Sequence, residues 1–431
     1  MSAGGKQTGD ALSYPPQTWR LYVNLSAYWF ALSLLWAGII TIVMQNMVQA
    51  IVGDKAKDLC LGWTLGGGAA VSTVICLVVG SLSDRTAHPR HRRKAYLLWG
   101  TLASVPALAL LATAHSIPML VLAFCMLQLT ANVATSPYQA MVPDLVPRDK
   151  QGLASAYLGV GSIAGTLAGL MLCGMLYDRP GGRGLHTVCA LLAAVLVGTM
   201  LHAYRRLPDT PPRGEPQTGP LSDAIASGFR LRPSENPSFY WLIASRFAIN
   251  LGFYSVTEFL SYYLSDTLRV PPADHQRVLT IVMLAATGSG LIGNWPAGVL
   301  SDRTSKKQVV RGAMAITSAA ALVFILTTSV QVAIGGAVVF GIGWGAFQAV
   351  DWALATNLLP DGDEARSMGI WHIAYTAPQV LAPVMGGIVA HYGNAGMGMG
   401  AGYRLVLGMS LFFMLAGTAL VAPIRERRAT P

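Results

Sequence analysis

Three ionisable residues lie inside long apolar runs of this chain: Arg246 and Glu258 in one run, Asp351 in another. Such a residue at bilayer depth is costly, and by default it faces a pathway or a partner. A carboxyl group there can take up and release a proton, which is the chemistry of a proton-coupled device. Asp351 is the first candidate for a proton site because it lies deep in its run, and Glu258 is the second. Arg246, Asn250, Tyr254, Glu258 and Tyr262 recur at every fourth residue, a helical stripe that drifts by about 40° per step. Arg246 and Glu258 are 12 residues apart, hence roughly 18 Å and about 120° on a helix. They cannot pair directly, so each needs a partner from another helix. Arg246 either faces a pathway or snorkels to an interface. Glu258 is either a working residue or a group near the outer surface.

The neutral polar residues also sort by face. Trp344, Gln348 and Asp351 follow i, i+4, i+7. His372, Tyr375, Thr376 and Gln379 share one face, with Pro378 beside them. Gln128, Asn132, Thr135 and Gln139 share another, and Trp29, Ser33 and Trp36 a third. Amides, hydroxyls and aromatic faces suit a neutral polyhydroxylated solute: hydrogen bonds and a flat surface to stack on. The same groups serve equally as glue between helices. His372 is either a hydrogen-bonded core histidine or a proton carrier.

The elements that must position these residues are membrane spans. Of the 431 residues, 53% are hydrophobic and 12% charged, against about 25% charged in soluble domains. A helical crossing takes about 20 apolar residues. Twelve such spans are expected, at 22–50, 60–82, 95–114, 117–141, 151–176, 185–204, 238–264, 276–300, 310–329, 331–358, 367–391 and 402–423. None alternates polar and apolar residues, so a barrel is excluded. The fold class is an all-α membrane protein with two pseudo-symmetric six-helix bundles, at 22–204 and 238–423. A tail occupies 1–21, a second tail 424–431, and a Pro- and Arg-rich linker 205–237, in which Leu221–Phe229 is either a surface helix or part of a solvated tether. The first residues carry no apolar core of a signal peptide. The five cysteines lie in or beside apolar runs and read as small core residues.

The halves are related by duplication. Gly80-Ser81-Leu82-Ser83-Asp84-Arg85-Thr86 returns as Gly298-Val299-Leu300-Ser301-Asp302-Arg303-Thr304, and the two aspartates are 218 residues apart (302 minus 84). Trp29 and Arg246 open corresponding segments of spans one and seven, and Pro143-Asp144 and Pro360-Asp361 end spans four and ten, both at an offset of 217. Two parallel halves place a substrate site at the midplane between them. Of the 30 lysines and arginines, 22 fall on the side of the two signature loops, 7 on the other, and Arg246 within a span. That bias puts both termini and the linker in the cytoplasm of a cell whose inner or plasma membrane holds the protein. The basic residues form short loops rather than a stripe, which excludes a nucleic-acid footprint. Glycines 161, 165 and 169 in span five, and 288, 290 and 293 in span eight, predict close helix packing.

The doubled Gly-x-Leu-Ser-Asp-Arg loops, the twelve spans and the basic linker resemble the major facilitator superfamily of secondary transporters. Pro137-Tyr138-Gln139-Ala140, Pro143-Asp144-Leu145-Val146-Pro147, Tyr262-Tyr263-Leu264 and Asp351-Trp352-Ala353-Leu354 further resemble its sugar–cation symporter branch, which includes sucrose–proton carriers and also lipid carriers. The resemblance implies a proton-coupled symporter of a small organic solute, sugar-like by preference, working by alternating access as a monomer. An exporter, or a non-transporting assembly factor of the same fold, is the alternative. It also implies a cytoplasmic gate: Asp84 and Arg85 match positions that latch the inward side, Asp144 matches an acid engaged with such an arginine, and Asp302 and Arg303 repeat the device. Otherwise these are solvated loop charges that only set topology. Span two holds no acid before Asp84, which disfavours sodium. Span five lacks the proline of the drug–proton antiporters, and a partial echo, Pro383-Val384-Met385-Gly386-Gly387, sits in span eleven instead. No phosphate-binding loop, metal-ligand cluster or nucleophile–base pair stands out, so no cofactor, no metal and no catalytic residue is expected.

Overall fold

The computed structural model describes residues 14–85, 92–147, 150–177, 183–208, 236–358 and 364–425. They form α1 (Trp19–Val52), α2 (Lys57–Arg85), α3 (Arg92–Ala112), α4 (Ile117–Leu145), α5 (Gln151–Tyr177), α6 (Gly184–Arg206), α7 (Pro237–Tyr262), α8 (Pro272–Arg303), α9 (Lys306–Leu326), α10 (Val330–Leu358), α11 (Glu364–Met397) and α12 (Ala401–Leu420). All but α7 are long and apolar enough to cross a bilayer. The exception is the helix that carries Arg246, Asn250 and Glu258. The protein is a multi-pass integral membrane protein.

The expected spans correspond one to one with these helices, and the differences lie at their ends. Some helices overrun the apolar windows, as α11 continues to Met397 and α8 begins at Pro272 and closes at Arg303, while α3, α9 and α12 stop at Ala112, Leu326 and Leu420, short of the expected ends. A helix in lipid must satisfy its backbone internally until it reaches water, so it outlasts its apolar core. Local chemistry sets the starts. Asn236 caps α7, its side chain accepting from the Phe239 N–H, with Pro237 at the first helical position. One feature is invisible to periodicity: α1 passes through a π-type turn at Ile39–Met44 and α7 ends in one at Tyr263–Thr267.

Packing within the second six helices repeats that of the first. In the first, α1 packs on α5 and α6, α2 on α4, and α3 on α4 and α6. Six helices later, α7 packs on α11 and α12, α8 on α10, and α9 on α10 and α12. Between the sets, α2 meets α11 and α5 meets α8, a pair of seams that exchange under the same relation. The glycine stripe of α5 serves as expected: Gly161, Gly165 and Gly169 lie against the backbone of Ser26, Phe30 and Leu34 in α1. In α8, Gly290 and Gly293 do the same against α10, but Gly288 faces open space and plays no part in that packing. Buried hydroxyls tie the first set. The Tyr138 hydroxyl donates to the Leu25 carbonyl, and the Tyr28 hydroxyl lies 2.6 Å from that of Thr101.

The candidate surface helix Leu221–Phe229 lies outside the described residues, as do both tails for the most part and the loop that follows Asp84 and Arg85. All five cysteines are free thiols; Cys173 and Cys189 are buried and the others half-buried.

Candidate functional site

The stripe on α7 has three separate fates. At its signature-loop end, Arg246 forms a buried ion pair with Asp351 of α10. The guanidinium lies over the Trp371 ring of α11, 3.5 Å from the centroid, and 5.6 Å from that of Tyr375. Arg246 is 4% exposed and Asp351 2%, so Arg246 does not snorkel. One helix supplies the cation, a second the anion and a third the aromatic faces, so the cluster couples α7, α10 and α11. Asn250 turns back to the Arg246 carbonyl, 2.8 Å away, with its own side-chain oxygen buried and without a hydrogen-bond partner among the described residues.

In the middle of the stripe, Tyr254 packs edge-on to Tyr375, their centroids 6.0 Å apart, and its hydroxyl accepts from the Gln379 amide at 3.0 Å. Beyond it, Glu258 has a buried carboxyl oxygen with no hydrogen-bond partner among the described residues. The two expected proton sites therefore differ in kind. Asp351 is neutralised by a guanidinium, while Glu258 has no such partner. The expected order, Asp351 before Glu258, is reopened by this difference, because Asp351 is already engaged with a cation.

Beside the stripe lies a cavity of about 320 Å³ between α7, α8 and α10, with Ile163 of α5 contributed by the other half. Phe253 and Trp344 stack in it, centroids 3.7 Å apart and rings 10° from parallel, and Phe340 continues the platform at 6.0 Å from Phe253. Gln348, Thr257, Thr287 and Asn294 supply the polar groups of the lining. Trp344 and Gln348 thus line the cavity as expected, but Asp351, on the same helix, is engaged with Arg246 and is absent from its walls. The cavity belongs mainly to the second half rather than lying evenly between the two.

The remaining expected residues are spread out. Asn132 donates to the Gln128 carbonyl at 2.7 Å and side-chain oxygen at 3.2 Å and accepts from the Cys76 thiol, so this group ties α4 to α2. Ser33 bonds Ser162 at 2.7 Å and ties α1 to α5. In these contacts the residues hold helices to one another. Trp29 has a buried indole N–H without a hydrogen-bond acceptor among the described residues, and Trp36 is half-buried against the core. The His372 side chain lies outside the described residues, as do those of Asp84, Arg85 and Asp302. Of the expected gate, Asp144 is seen: its carboxylate pairs with Arg93 at 3.0 Å, and Arg93 also donates to Ser83 at 2.9 Å. That joins α4, α3 and α2 within the first half. Arg303 is exposed.

The polar links described between the halves cluster at the end opposite the signature loops, where none was expected. Lys57, at the start of α2 and fully buried, lies 2.7 Å from Asp266 and 3.0 Å from Asp54, with its ammonium 4.7 Å over the Tyr262 ring. Its neighbour Asp58 accepts from the Tyr403 hydroxyl at 2.6 Å and the Asn394 amide at 3.2 Å. Asn394 in turn accepts from the Gly400 and Gly402 N–H groups, both at 2.9 Å, and so fixes the α11–α12 turn, where Gly400 takes φ 91°. The Tyr262 hydroxyl donates to the Gln45 carbonyl, exactly one repeat of 217 residues away. Equivalent positions thus touch across the pseudo-twofold axis. Lysine and aspartate at the start of a span, an aspartate after span seven and a tyrosine in span twelve were the available signals. Read singly, they look like loop charges.

The sequence profile described as Major Facilitator Superfamily matches residues 21–383 and 278–431. A curated relative, the fujikurins efflux protein of Gibberella fujikuroi, is 23% identical over 274 residues, covering 61% of this chain and 56% of that protein. The chain thus spans little more than half the length of that relative. Among solved structures, a bacterial homologue of the human lysosomal transporter Spinster, inward-facing and occupied, superposes with a TM-score of 0.71 at 15% identity, over 94% of this chain and 96% of that one. The nucleoside transporter NupG gives 0.72 at 13% identity, over 93% and 99%. Neither these relatives nor the efflux protein supports the sugar–cation branch.

Proposed function

Because the chain belongs to the major facilitator superfamily, we propose that it is a secondary active transporter that moves a small, flat, largely apolar organic solute by alternating access, driven by protons. The observation that carries this reading is the polar seam between the halves, which among the described residues lies at the end away from the signature loops. Ion pairs and hydrogen bonds close the halves at the end away from the signature loops, and the cavity and the buried Glu258 lie inward of that closure. A carrier must close one end at a time around its site, and this arrangement does so with bonds that water can replace. The sugar-like preference yields to the walls of the cavity. A stacked Phe253–Trp344 platform with a few amides and hydroxyls favours an aromatic or amphipathic solute over a polyhydroxylated one. A buried acid, Glu258, with a carboxyl oxygen that has no hydrogen-bond partner among the described residues argues against a non-transporting assembly factor.

Glu258 is the proton carrier in this reading, and Arg246–Asp351 is a structural and positioning pair. Protons rather than sodium fit a second helix that holds no acid between Asp58 at its start and Asp84, and a Glu258 oxygen that is buried with no hydrogen-bond partner among the described residues. Import by symport and export by antiport use the same parts, and the similarity to an efflux protein favours export. A thermal-shift screen of flat amphipathic solutes supplies a ligand, and proteoliposomes in sodium-free buffer then read its movement. Glu258→Gln should keep solute exchange and lose proton-driven accumulation or extrusion, since the amide mimics the protonated acid. The sign of the proton gradient that drives movement decides import or export. Gradient-driven transport by Glu258→Gln equal to the parent's would remove Glu258 from the coupling.

A further inference from the structure

At the latch end, α5 and α8 approach each other across the two halves. Gly174 permits it: a Cβ there would come within 2.9 Å of the Thr280 hydroxyl and 3.3 Å of the Gln276 amide nitrogen. Beside the crossing runs a groove of about 360 Å³. One stretch of it is apolar, with Met171 and Met175 from α5 and Ile281 from α8, all exposed. The other stretch is polar and nearer the start of α8, with Gln276 and Arg277. Gln276 is 6% exposed, and its amide nitrogen has no hydrogen-bond partner among the described residues. Arg277 is exposed and makes no ion pair among the described residues; Asp274, one turn earlier, is not part of the groove wall.

We propose that this groove binds an anionic phospholipid of the surrounding bilayer, with the phosphate on Arg277 and the Gln276 amide and an acyl chain along Met171, Met175 and Ile281. Arg277 is five residues into α8, about 8 Å from its end, which is the depth of a head group rather than of hydrocarbon. A guanidinium fork and a buried N–H that lacks an acceptor together match phosphate oxygens. Thioether side chains adapt to a disordered acyl chain. The polar-to-apolar order along the groove is that of a lipid standing in its leaflet. Because one wall comes from each half, the bound lipid favours the state in which these helices touch, and so the closed latch. This site is separate from the cavity of the proposed transport function and does not depend on it.

Native mass spectrometry of the purified full chain tests the idea, with phosphatidylglycerol and phosphatidylcholine of identical acyl chains as probes. The parent should hold phosphatidylglycerol in preference to phosphatidylcholine. Arg277→Ala should weaken that binding roughly tenfold, the effect of losing one charge-assisted contact. Arg277→Lys should retain most of it, and Arg183→Ala, on another exposed arginine at a helix start, should change nothing. Arg277 is exposed, so its alanine variant is expected to fold, and Gln276→Leu gives an independent variant with the same expected loss. Equal retention of the two lipids by the parent, or unchanged binding by both variants, overturns the proposal. So does displacement by soluble glycerol phosphate at concentrations comparable to the lipid, because the acyl chain would then contribute nothing.

Discussion

Arg246 and Asp351 illustrate what a buried ion pair does at the scale of single residues. Removing both charges from water is expensive, and the pair persists because each group neutralises the other and the guanidinium also rests on Trp371. Breaking it from one side leaves a lone buried charge, which costs about 3–5 kcal/mol. Arg246→Met should therefore lower the melting temperature markedly. The double variant Arg246→Met, Asp351→Leu should recover most of the loss, since an apolar pair of similar volume restores the core without a charge to bury. Scanning fluorimetry in one detergent across the three proteins makes the comparison, and a double variant no better than the single would deny the pairing. The sequence made these residues legible as a set, because charges in apolar runs are rare. It could not rank them. Whether Asp351 is free or held depends on α7 and α10 lying side by side, and nothing within either helix encodes that adjacency.

At the scale of elements, helices were legible and their junctions were not. Eleven of the twelve helices are long and apolar enough to announce themselves as crossings, and α7 is read with them despite its charges, whereas the π-type turns and the overrun of α11 to Met397 depend on what surrounds the helix. The α2–α11 seam shows the same limit. Gly62 reads as an ordinary small residue, yet a Cβ there would press on the Pro383 carbonyl, with the Gly387 Cα 3.3 Å away. The obstacle is backbone on both sides and cannot rotate aside. Gly62→Val should therefore pry α2 from α11 and weaken the adjoining contacts of Asp58 with Tyr403 and Asn394. In a background with Cys60 as the sole cysteine, labelling of that half-buried thiol should speed up several-fold, while Gly67→Ala, at a position with nothing nearby, should not change it. Labelling unchanged by Gly62→Val would mean that this seam does not govern the opening. The acid limb of the same latch has a defined sign. The Lys57 ammonium bonded to Asp54 holds that carboxyl below its ordinary 3.8. Its contribution is then present above that pH and disappears only as the pH falls through the lowered value. The effect should be small, since Asp54 is largely exposed, so the Lys57–Asp54 contact alone should add little to the acid sensitivity of the latch, and Asp54→Asn should leave that sensitivity almost unchanged in an acid titration followed by scanning fluorimetry.

At the scale of the whole molecule, an asymmetry of charge in the sequence meets an asymmetry of contacts between the halves among the described residues. Twenty-two lysines and arginines crowd the side of the signature loops against seven opposite. The Lys57, Asp58, Asp266 and Tyr403 latch sits on the poorer side. If basic loops stay on the cytoplasmic side, the latch faces outward and the closed seam is the outer one. Two measurements on one chain test the pair of statements together. Reporter domains fused at residue 215 and at the C-terminus should be active only as cytoplasmic reporters. In the Cys-free chain carrying Ser265→Cys, beside the latch, a membrane-impermeant thiol reagent added outside whole cells should react slowly. It should react faster once Lys57→Met removes the cation that Asp266 and Asp54 share. An externally active reporter at either fusion point would invert the topology. Acceleration seen only when the reagent is delivered from the cytoplasmic side would place the latch on the inner face and leave the outer end to be closed by other contacts.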